Sequence, residues 1–212
     1  MERKEEIILA ALELASGNGL KSVSMARIAE KVSIKAPSLY NHFKSKEELI
    51  KAMYSYLREK AQQNRSSGLA DPMDFASKSL EEILMESLSA YLGIISDQSM
   101  MRFFRVLYSE RSINPLAAGI MLEETEHMIR STRNLFYALA VHGKMRSEGV
   151  DTAAMTFAMT VHSLIDYQMD KITAGRADRF GDGESPYTKE LSEFIRWFSI
   201  QNGGGIHEQK AH

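Results

Sequence analysis

The sequence predicts an all-α protein of about nine helices. Along most of the 212 residues, apolar side chains recur at the i, i+3, i+4, i+7 spacing of one buried helix face. Beyond residue 72 no alternating strand pattern of useful length occurs, and breaks rich in Gly, Pro and Asn separate the helical stretches. Hydrophobic residues make up 44% of the chain, which is enough for a sizeable core.

The first three helices are marked by signals at their ends. The first is predicted over residues 5–16, and it stops at the Gly-Asn-Gly of residues 17–19, which accept the left-handed cap conformation. Ser24 is placed to N-cap the second helix. Pro37 falls in the first turn of the third helix, where its missing N–H costs nothing.

The later helices follow from a capping box and from apolar periodicity. Ser45 and Glu48 form the capping box of a fourth helix, which continues to about residue 63 and ends before the breaks of residues 66–72. Asp151 is a predicted N-cap, and residues 203–212 are an expected flexible tail. The remaining helices are predicted over residues 75–95, 100–109, 116–140, 153–172 and 187–200.

Composition and charge narrow the class of protein. The chain has no cysteine, no apolar run long enough to span a membrane and no signal peptide, so we expect a cytoplasmic protein without membrane partners. Residues 1–65 hold 12 Lys and Arg against 8 Asp and Glu, whereas the remainder holds 14 against 20. A basic N-terminal part on an acidic body fits a DNA-contacting module, although chance variation in surface charge is the alternative.

Residues 24–46 hold two short helical patterns separated by a tight break. The first places Met25, Ile28, Ala29 and Val32 on one face, and the second places Leu39 and Phe43 four residues apart, facing inward. Two short helices joined by a turn form a helix-turn-helix, whose second helix can enter the major groove of DNA. DNA binding is therefore the first functional hypothesis.

This stretch also carries a family resemblance. Ile28-Ala29 and the later Ser-Leu-Tyr-Asn-His-Phe-Lys-Ser-Lys-Glu-Glu-Leu of residues 38–49 resemble the N-terminal signature of TetR-family transcriptional regulators. The resemblance covers residues 7–54, and the rest of the chain shows a compatible helical pattern. It implies a helix-turn-helix domain at 1–46 and a helical effector-binding and dimerisation domain at 47–202. Ser33 stands where the family often has Gly, so a positive φ there would strain the turn modestly.

The resemblance also implies which side chains meet DNA. The residues expected to face the bases are Lys35, Pro37, Ser38 and Tyr40. The residues expected to bind phosphate are Ser24, Asn41, His42 and Lys46. The alternative is that the tyrosine and the histidine of this motif only pack or cap a small domain.

The second candidate site is an interior that is rich in methionine and aromatic residues. Flexible thioethers re-pack around varied apolar ligands, and the chain has 13 Met, although ordinary core filling is the alternative for any one of them. The resemblance implies an effector pocket in the C-terminal domain, and we expect a small, largely apolar effector. The predicted lining is Met100, Phe103, Phe104, Met121, Tyr137, Met155 and Met159, with His162 and Asp166 as polar contacts.

His162, Asp166 and Asp170 share one helix face at i, i+4 and i+8, and Glu123 and His127 are four apart on the preceding helix. Imidazole and carboxylates can bind Zn, Ni or Fe. We favour polar fixtures of a pocket or of a dimer interface instead, and we predict neither a metal nor a cofactor.

The last two predicted helices carry long apolar stripes. Two such helices from each chain can close a four-helix bundle about a two-fold axis, which the resemblance identifies as the family's mode of dimerisation. The alternative is that the stripes pack only on their own subunit. The predicted interface residues are Phe157, Val161, Ile165, Phe194 and Phe198.

The sequence thus predicts a homodimeric, ligand-responsive transcriptional regulator, most simply a repressor. Two-fold symmetry requires a palindromic double-stranded DNA operator, which a small-molecule effector would release. No G-x-S-x-G, P-loop or dinucleotide glycine pattern is present, so we do not predict an enzyme. The rival hypothesis is a helical ligand-binding or enzymatic bundle whose helix-turn-helix is vestigial, and activation instead of repression remains open.

Overall fold

The computed structural model describes residues 2–63, 75, 77–95, 97–176 and 189–204. Within these ranges the chain forms nine α-helices and no strand, which confirms the predicted all-α fold. The helices are α1 (Arg3–Asn18), α2 (Met25–Lys31), α3 (Ala36–His42), α4 (Lys46–Gln63), α5 (Leu80–Ile95), α6 (Gln98–Glu110), α7 (Pro115–Val141), α8 (Val150–Thr173) and α9 (Lys189–Asn202). A 3₁₀ turn, Leu20–Ser22, separates α1 from α2.

The caps predicted for the N-terminal helices are present. The Ser24 hydroxyl accepts a hydrogen bond from the Arg27 N–H at 3.3 Å, and Pro37 lies in the first turn of α3. Ser45 accepts from the Glu48 N–H at 3.1 Å. The Glu48 carboxylate reaches back one residue further than a standard capping box, to the Lys44 N–H at 2.7 Å.

Two later helix starts differ from the prediction. Helix α5 begins at Leu80 rather than at residue 75, because Ser79 and Glu82 form a capping box there. The Ser79 N–H donates to Glu82 at 2.7 Å, and the Glu82 N–H donates to Ser79 at 3.2 Å. Asp151 is not the N-cap of α8 but lies in its first turn, and the N-cap is Gly149 at φ 70°. A carboxylate in a first turn still interacts favourably with the helix dipole.

The chain divides into two compact units, one from residues 1–66 and 93–123 and the other from residues 67–92 and 124–212. In the first unit, α1 packs against α2, α4 and α6, and α2 packs against α3. Its fully buried side chains include Ile7, Leu20, Ile28, Leu39, Leu49, Met53 and Phe103. The predicted division into domains at 1–46 and 47–202 stays a prediction.

The second unit has an aromatic core. Phe157 of α8 lies 5.4 Å from Phe136 of α7 and 4.9 Å from Phe198 of α9, measured between ring centroids. Phe136 and Phe198 are 5.5 Å apart, so the three rings join α7, α8 and α9. Such tilted and edge-on pairs add to the stabilisation from buried area.

Residues 203 and 204, where the expected tail begins, form backbone hydrogen bonds with the loop after α7. The Gly204 N–H donates to the Lys144 carbonyl at 3.0 Å, and the Arg146 N–H donates to the Asn202 carbonyl at 3.0 Å. Gly203 forms an isolated antiparallel bridge with Met145. These backbone bonds hold the first two tail residues against the loop after α7, while residues 205–212 lie outside the described part of the chain. The predicted link at residues 66–72 also lies outside it.

No helix among the described residues is both long and apolar enough to cross a membrane.

Candidate nucleic-acid interface

The two short helices α2 and α3 are held by apolar side chains on their inner faces. Ile28 and Ala29 of α2 are buried, as are Leu39 of α3 and Phe43 directly after it. The turn between the helices is closed by the Ile34 N–H, which donates to the Ala29 carbonyl at 2.9 Å. The inward orientation predicted for Leu39 and Phe43 is therefore observed.

Ser33 takes up the backbone conformation that the turn requires. Its φ is 55°, the only positive φ of a non-glycine residue in the described part of the chain. The Ser33 N–H donates to the Glu30 carbonyl at 3.1 Å. A left-handed residue other than Gly is mildly strained, so the turn forms with Ser at a small energetic cost.

The outer face of α3 presents the side chains predicted to read bases. Tyr40 is 46% exposed, whereas its neighbour Leu39 is fully buried. Lys35 occupies the N-cap position without a side-chain capping bond. The exposed residues of this reading face, defined as residues 35–41 without Leu39, are Lys35, Pro37, Ser38, Tyr40 and Asn41. They can contact a duplex without any change in the core.

Three of the four predicted phosphate contacts, Ser24, His42 and Lys46, are less exposed than the reading face, and the fourth, Asn41, lies within that face. Ser24 and His42 are half-buried, the first at the start of α2 and the second in the last turn of α3. Two further basic side chains, which sequence reasoning did not select, also lie here and are exposed. Arg27 donates to the Ser22 carbonyl at 2.9 Å, and Lys44 donates to the Tyr40 carbonyl at 3.3 Å. Their positive charge in a basic stretch was the available signal.

Lys46 is tied to the backbone of the turn after α1. Its ammonium group donates to the Leu20 carbonyl at 2.5 Å in a partly buried position. An ammonium has three N–H donors, so this bond leaves capacity for a phosphate.

A buried carboxylate contacts the backbone N–H of the same residue, Leu20. Glu110, the last residue of α6, accepts from the Leu20 N–H at 2.5 Å. This contact joins residues 90 apart in the chain, and sequence reasoning did not find it. The available signal was weak, since a single Glu at the end of an amphipathic helix is usually exposed.

Two family models match the chain. One, described as bacterial regulatory proteins of the tetR family, matches residues 7–53. The other, described as the C-terminal domain of AefR-like transcriptional repressors, matches residues 82–177. Together they cover more than half of the chain. The chain belongs to the TetR family.

Known proteins agree with this assignment. The class C tetracycline repressor of Escherichia coli is 37% identical over 51 residues, which are 24% of this chain and 23% of that repressor. The solved structure of the flavonoid-responsive regulator FrrA covers 98% of both chains with a TM-score of 0.70 and 22% identity. A protein of Mesorhizobium loti MAFF303099 assigned to the same family covers 96% of this chain and 100% of its own, with a TM-score of 0.69 and 19% identity. At these identities the two structures show a shared fold.

As a TetR-family transcriptional regulator the protein binds DNA.

The residues predicted to line the effector pocket fall in both compact units. In the first unit, Met100, Phe103, Phe104 and Met121 are buried. In the second unit, three are among the exposed large apolar side chains: Tyr137, Met155 and Met159. The Tyr137 hydroxyl donates to Asp151 at 3.1 Å, and this bond raises the tyrosine pKa because the carboxylate favours the protonated phenol. Their common role in one pocket stays a prediction.

Of the three polar side chains predicted to share one face of α8, the structure pairs His162 with Asp166. His162 Nε2 lies 3.8 Å from the Asp166 carboxylate, and both side chains are partly buried, whereas Asp170 is exposed. Within the described residues, no group of three or more His, Asp or Glu side chains is arranged to hold a metal ion.

The stripes predicted for the TetR-type dimer interface mostly face their own subunit. Phe157, Val161, Ile165 and Phe198 are buried in the single chain, while Phe194 is half-buried. This agrees with the alternative that they pack within one subunit, and their part in a dimer is untested. The apolar side chains that α8 and α9 leave exposed are instead Met155, Met159, Tyr167, Trp197 and Ile200.

Proposed function

We propose that this TetR-family regulator is a homodimeric repressor that binds a palindromic operator and leaves it when a small, largely apolar effector binds. The reading face carries the proposal. Tyr40 has nearly half of its surface exposed on a helix that Leu39 and Phe43 anchor, so the tyrosine is not needed for packing. Exposed polar and aromatic side chains on the second helix of a helix-turn-helix are placed to meet base edges.

In this proposal the residues around the reading face divide into two roles. Lys35, Ser38 and Tyr40 read bases, which gives sequence specificity. Lys46 and Asn41 bind phosphates, which gives affinity that does not depend on sequence. Ser24 contributes a helix N-terminus, where backbone N–H groups favour an anion.

The test is footprinting on the DNA upstream of the protein's own gene, followed by titrations with variants. Tyr40→Ala is expected to abolish most operator binding while random duplexes still bind. Lys46→Ala is expected to weaken both and to reduce the log–log salt slope by about one. Lys51→Ala is the matched control, because it removes the same charge from an exposed position of α4. If both test variants bind operator as Lys51→Ala does, α3 is not the reading helix.

The repressor and effector parts of the proposal have separate support. The matched C-terminal family model is described as that of a transcriptional repressor. One fold neighbour is named flavonoid-responsive, which makes planar aromatic molecules the first effector class to test. Met100, Phe103 and Met121 supply buried adaptable and aromatic surface for such a molecule.

A panel of aromatic ligands tests the effector part. At 100 times its dissociation constant, a true effector stabilises the protein by about 2.7 kcal/mol. The same ligand must lower operator affinity, because the two binding events share one coupling free energy. A ligand that raises the melting temperature without affecting DNA binding contradicts the effector role while leaving the DNA-binding assignment intact.

A further inference from the structure

The two backbone polar groups of Leu20 are held by charged side chains from two different helices. Its N–H donates to the carboxylate of Glu110 at the end of α6, and its carbonyl accepts from the ammonium of Lys46 at the start of α4. Both distances are 2.5 Å. Leu20 is 1% exposed and Glu110 is 9% exposed, so water competes little for the carboxylate contact.

Glu110 is itself held from the other side. Its second oxygen accepts from the side-chain amide of Asn114 at 2.8 Å. The side-chain Oδ1 of Asn114 in turn accepts from the Leu116 N–H at 3.1 Å, in the first turn of α7. The carboxylate therefore links the junction of α6 and α7 to the turn between α1 and α2.

The neighbouring backbone leaves room for this carboxylate only because residue 19 has no side chain. A Cβ atom on Gly19 would lie 2.7 Å from Glu110 Oε1, closer than real contacts allow. The absence of a side chain there lets the carboxylate reach the Leu20 N–H.

We propose that Glu110 is a positioning residue for DNA binding, which sets the place of the Lys46 ammonium through the backbone of Leu20. The N–H and the carbonyl of Leu20 belong to adjacent peptide groups, so the carboxylate acts by fixing the position of the Leu20 backbone and with it the direction of the carbonyl. That carbonyl holds Lys46, which otherwise has a flexible four-carbon stem and many conformations. The proposal rests on the phosphate contact assigned to Lys46 above. Glu110 is buried, so its effect on DNA is indirect.

The decisive variant is Glu110→Gln, which keeps the shape and one acceptor but loses the charge. It is expected to lower affinity for operator and for random duplex by about fivefold, the difference between a charged and a neutral hydrogen bond. The salt slope is expected to stay unchanged, since no phosphate contact is removed. Glu123→Gln is the matched control, because it removes the same charge from an exposed position in the same unit.

Repeating Glu110→Gln in a Lys46→Ala background separates positioning from a structural role. If Glu110 acts through Lys46, the second substitution adds almost nothing to the first. An equal loss of affinity in both backgrounds, or wild-type affinity with only a lower melting temperature, overturns the proposal. If Glu110→Gln does not fold, Asn114→Ala takes its place, because it removes one hydrogen bond to the Glu110 carboxylate while the carboxylate keeps its charge. The same non-additivity with Lys46→Ala is then required.

The two proposals fail in different ways. If Lys46→Ala leaves affinity and salt slope unchanged, the phosphate contact is wrong and the positioning role falls with it. If Lys46→Ala weakens binding but Glu110→Gln does not, only the positioning role is wrong.

Discussion

Replacing Gly19 by Ala is expected to destabilise the first unit through two separate costs. Gly19 has φ 74° and ψ 175°, a region of backbone conformation that is essentially restricted to glycine. Forcing an alanine into it costs about 1–3 kcal/mol. The added Cβ would also lie 2.7 Å from Glu110 Oε1, so the carboxylate must move away from the Leu20 N–H.

The second cost is at most that of losing a hydrogen bond to a charged group, about 1.5–3 kcal/mol, because the carboxylate is the far end of a side chain that can shift. Together the two costs lie between about 1 and about 6 kcal/mol. For a chain of this size each kcal/mol corresponds to about 2–4 °C in melting temperature, so a fall of at least about 2 °C is expected. Urea denaturation followed by circular dichroism measures the loss of free energy directly.

Gly17→Ala is the matched control, because it makes the same substitution two residues earlier, in the last turn of α1. A Cβ atom at Gly17 meets nothing within 4 Å, and alanine favours the helix by up to about 1 kcal/mol. The control is therefore expected to be neutral or stabilising. Equal denaturation midpoints for the two variants would refute the reasoning. Adding Glu110→Ala to Gly19→Ala isolates the backbone part, since the steric conflict is then gone.

Three further substitutions test other parts of the structure. Ser79→Ala removes the N-cap of α5 and is expected to cost about 1 kcal/mol in urea denaturation. Trp197→Glu, at an exposed site on α9, is expected to abolish the proposed dimer in sedimentation experiments without unfolding the subunit. Val161→Glu instead buries a charge and is expected to unfold the subunit. A wild-type protein that is monomeric in sedimentation would exclude the dimer. The hydrogen bond from Tyr56 lowers the pKa of Glu5. The stability that this bond contributes is therefore present above the ordinary pKa of 4.5 and is lost as the pH falls through the lowered pKa. Tyr56→Phe is expected to remove that part of the acid sensitivity in denaturation curves.

The N-terminal unit was largely predictable because its signals are local. A capping serine acts within three residues of itself, and a first-turn proline acts at its own position. The periodicity that placed Leu39 and Phe43 inward spans four residues. The positive φ of 55° at Ser33 was also predictable, because it depends only on the local geometry of the turn between α2 and α3.

The contacts that sequence reasoning missed are those between distant residues. Glu110 meets Leu20 across 90 positions, and no local pattern marks a carboxylate for burial at such a site. On α8 the difficulty is different, because the helix carries apolar side chains on more than one face. Periodicity identified Phe157 as part of a buried stripe, but it could not decide whether that stripe or the face with Met155 would be covered by the same chain.

Helix α3, which we propose reads the bases, is short, and its shortness explains why distant contacts would matter for DNA binding. Helix α3 has seven residues, well below the length at which an isolated helix is stable in water. Its position therefore depends on tertiary contacts, directly through Leu39 and indirectly through α1, which packs against both α2 and α6. A reading helix that is held only by its neighbours moves when they move. The Leu20 backbone, bonded to α6 through its N–H and to α4 through its carbonyl, is one place where such a movement would reach a residue proposed to bind phosphate.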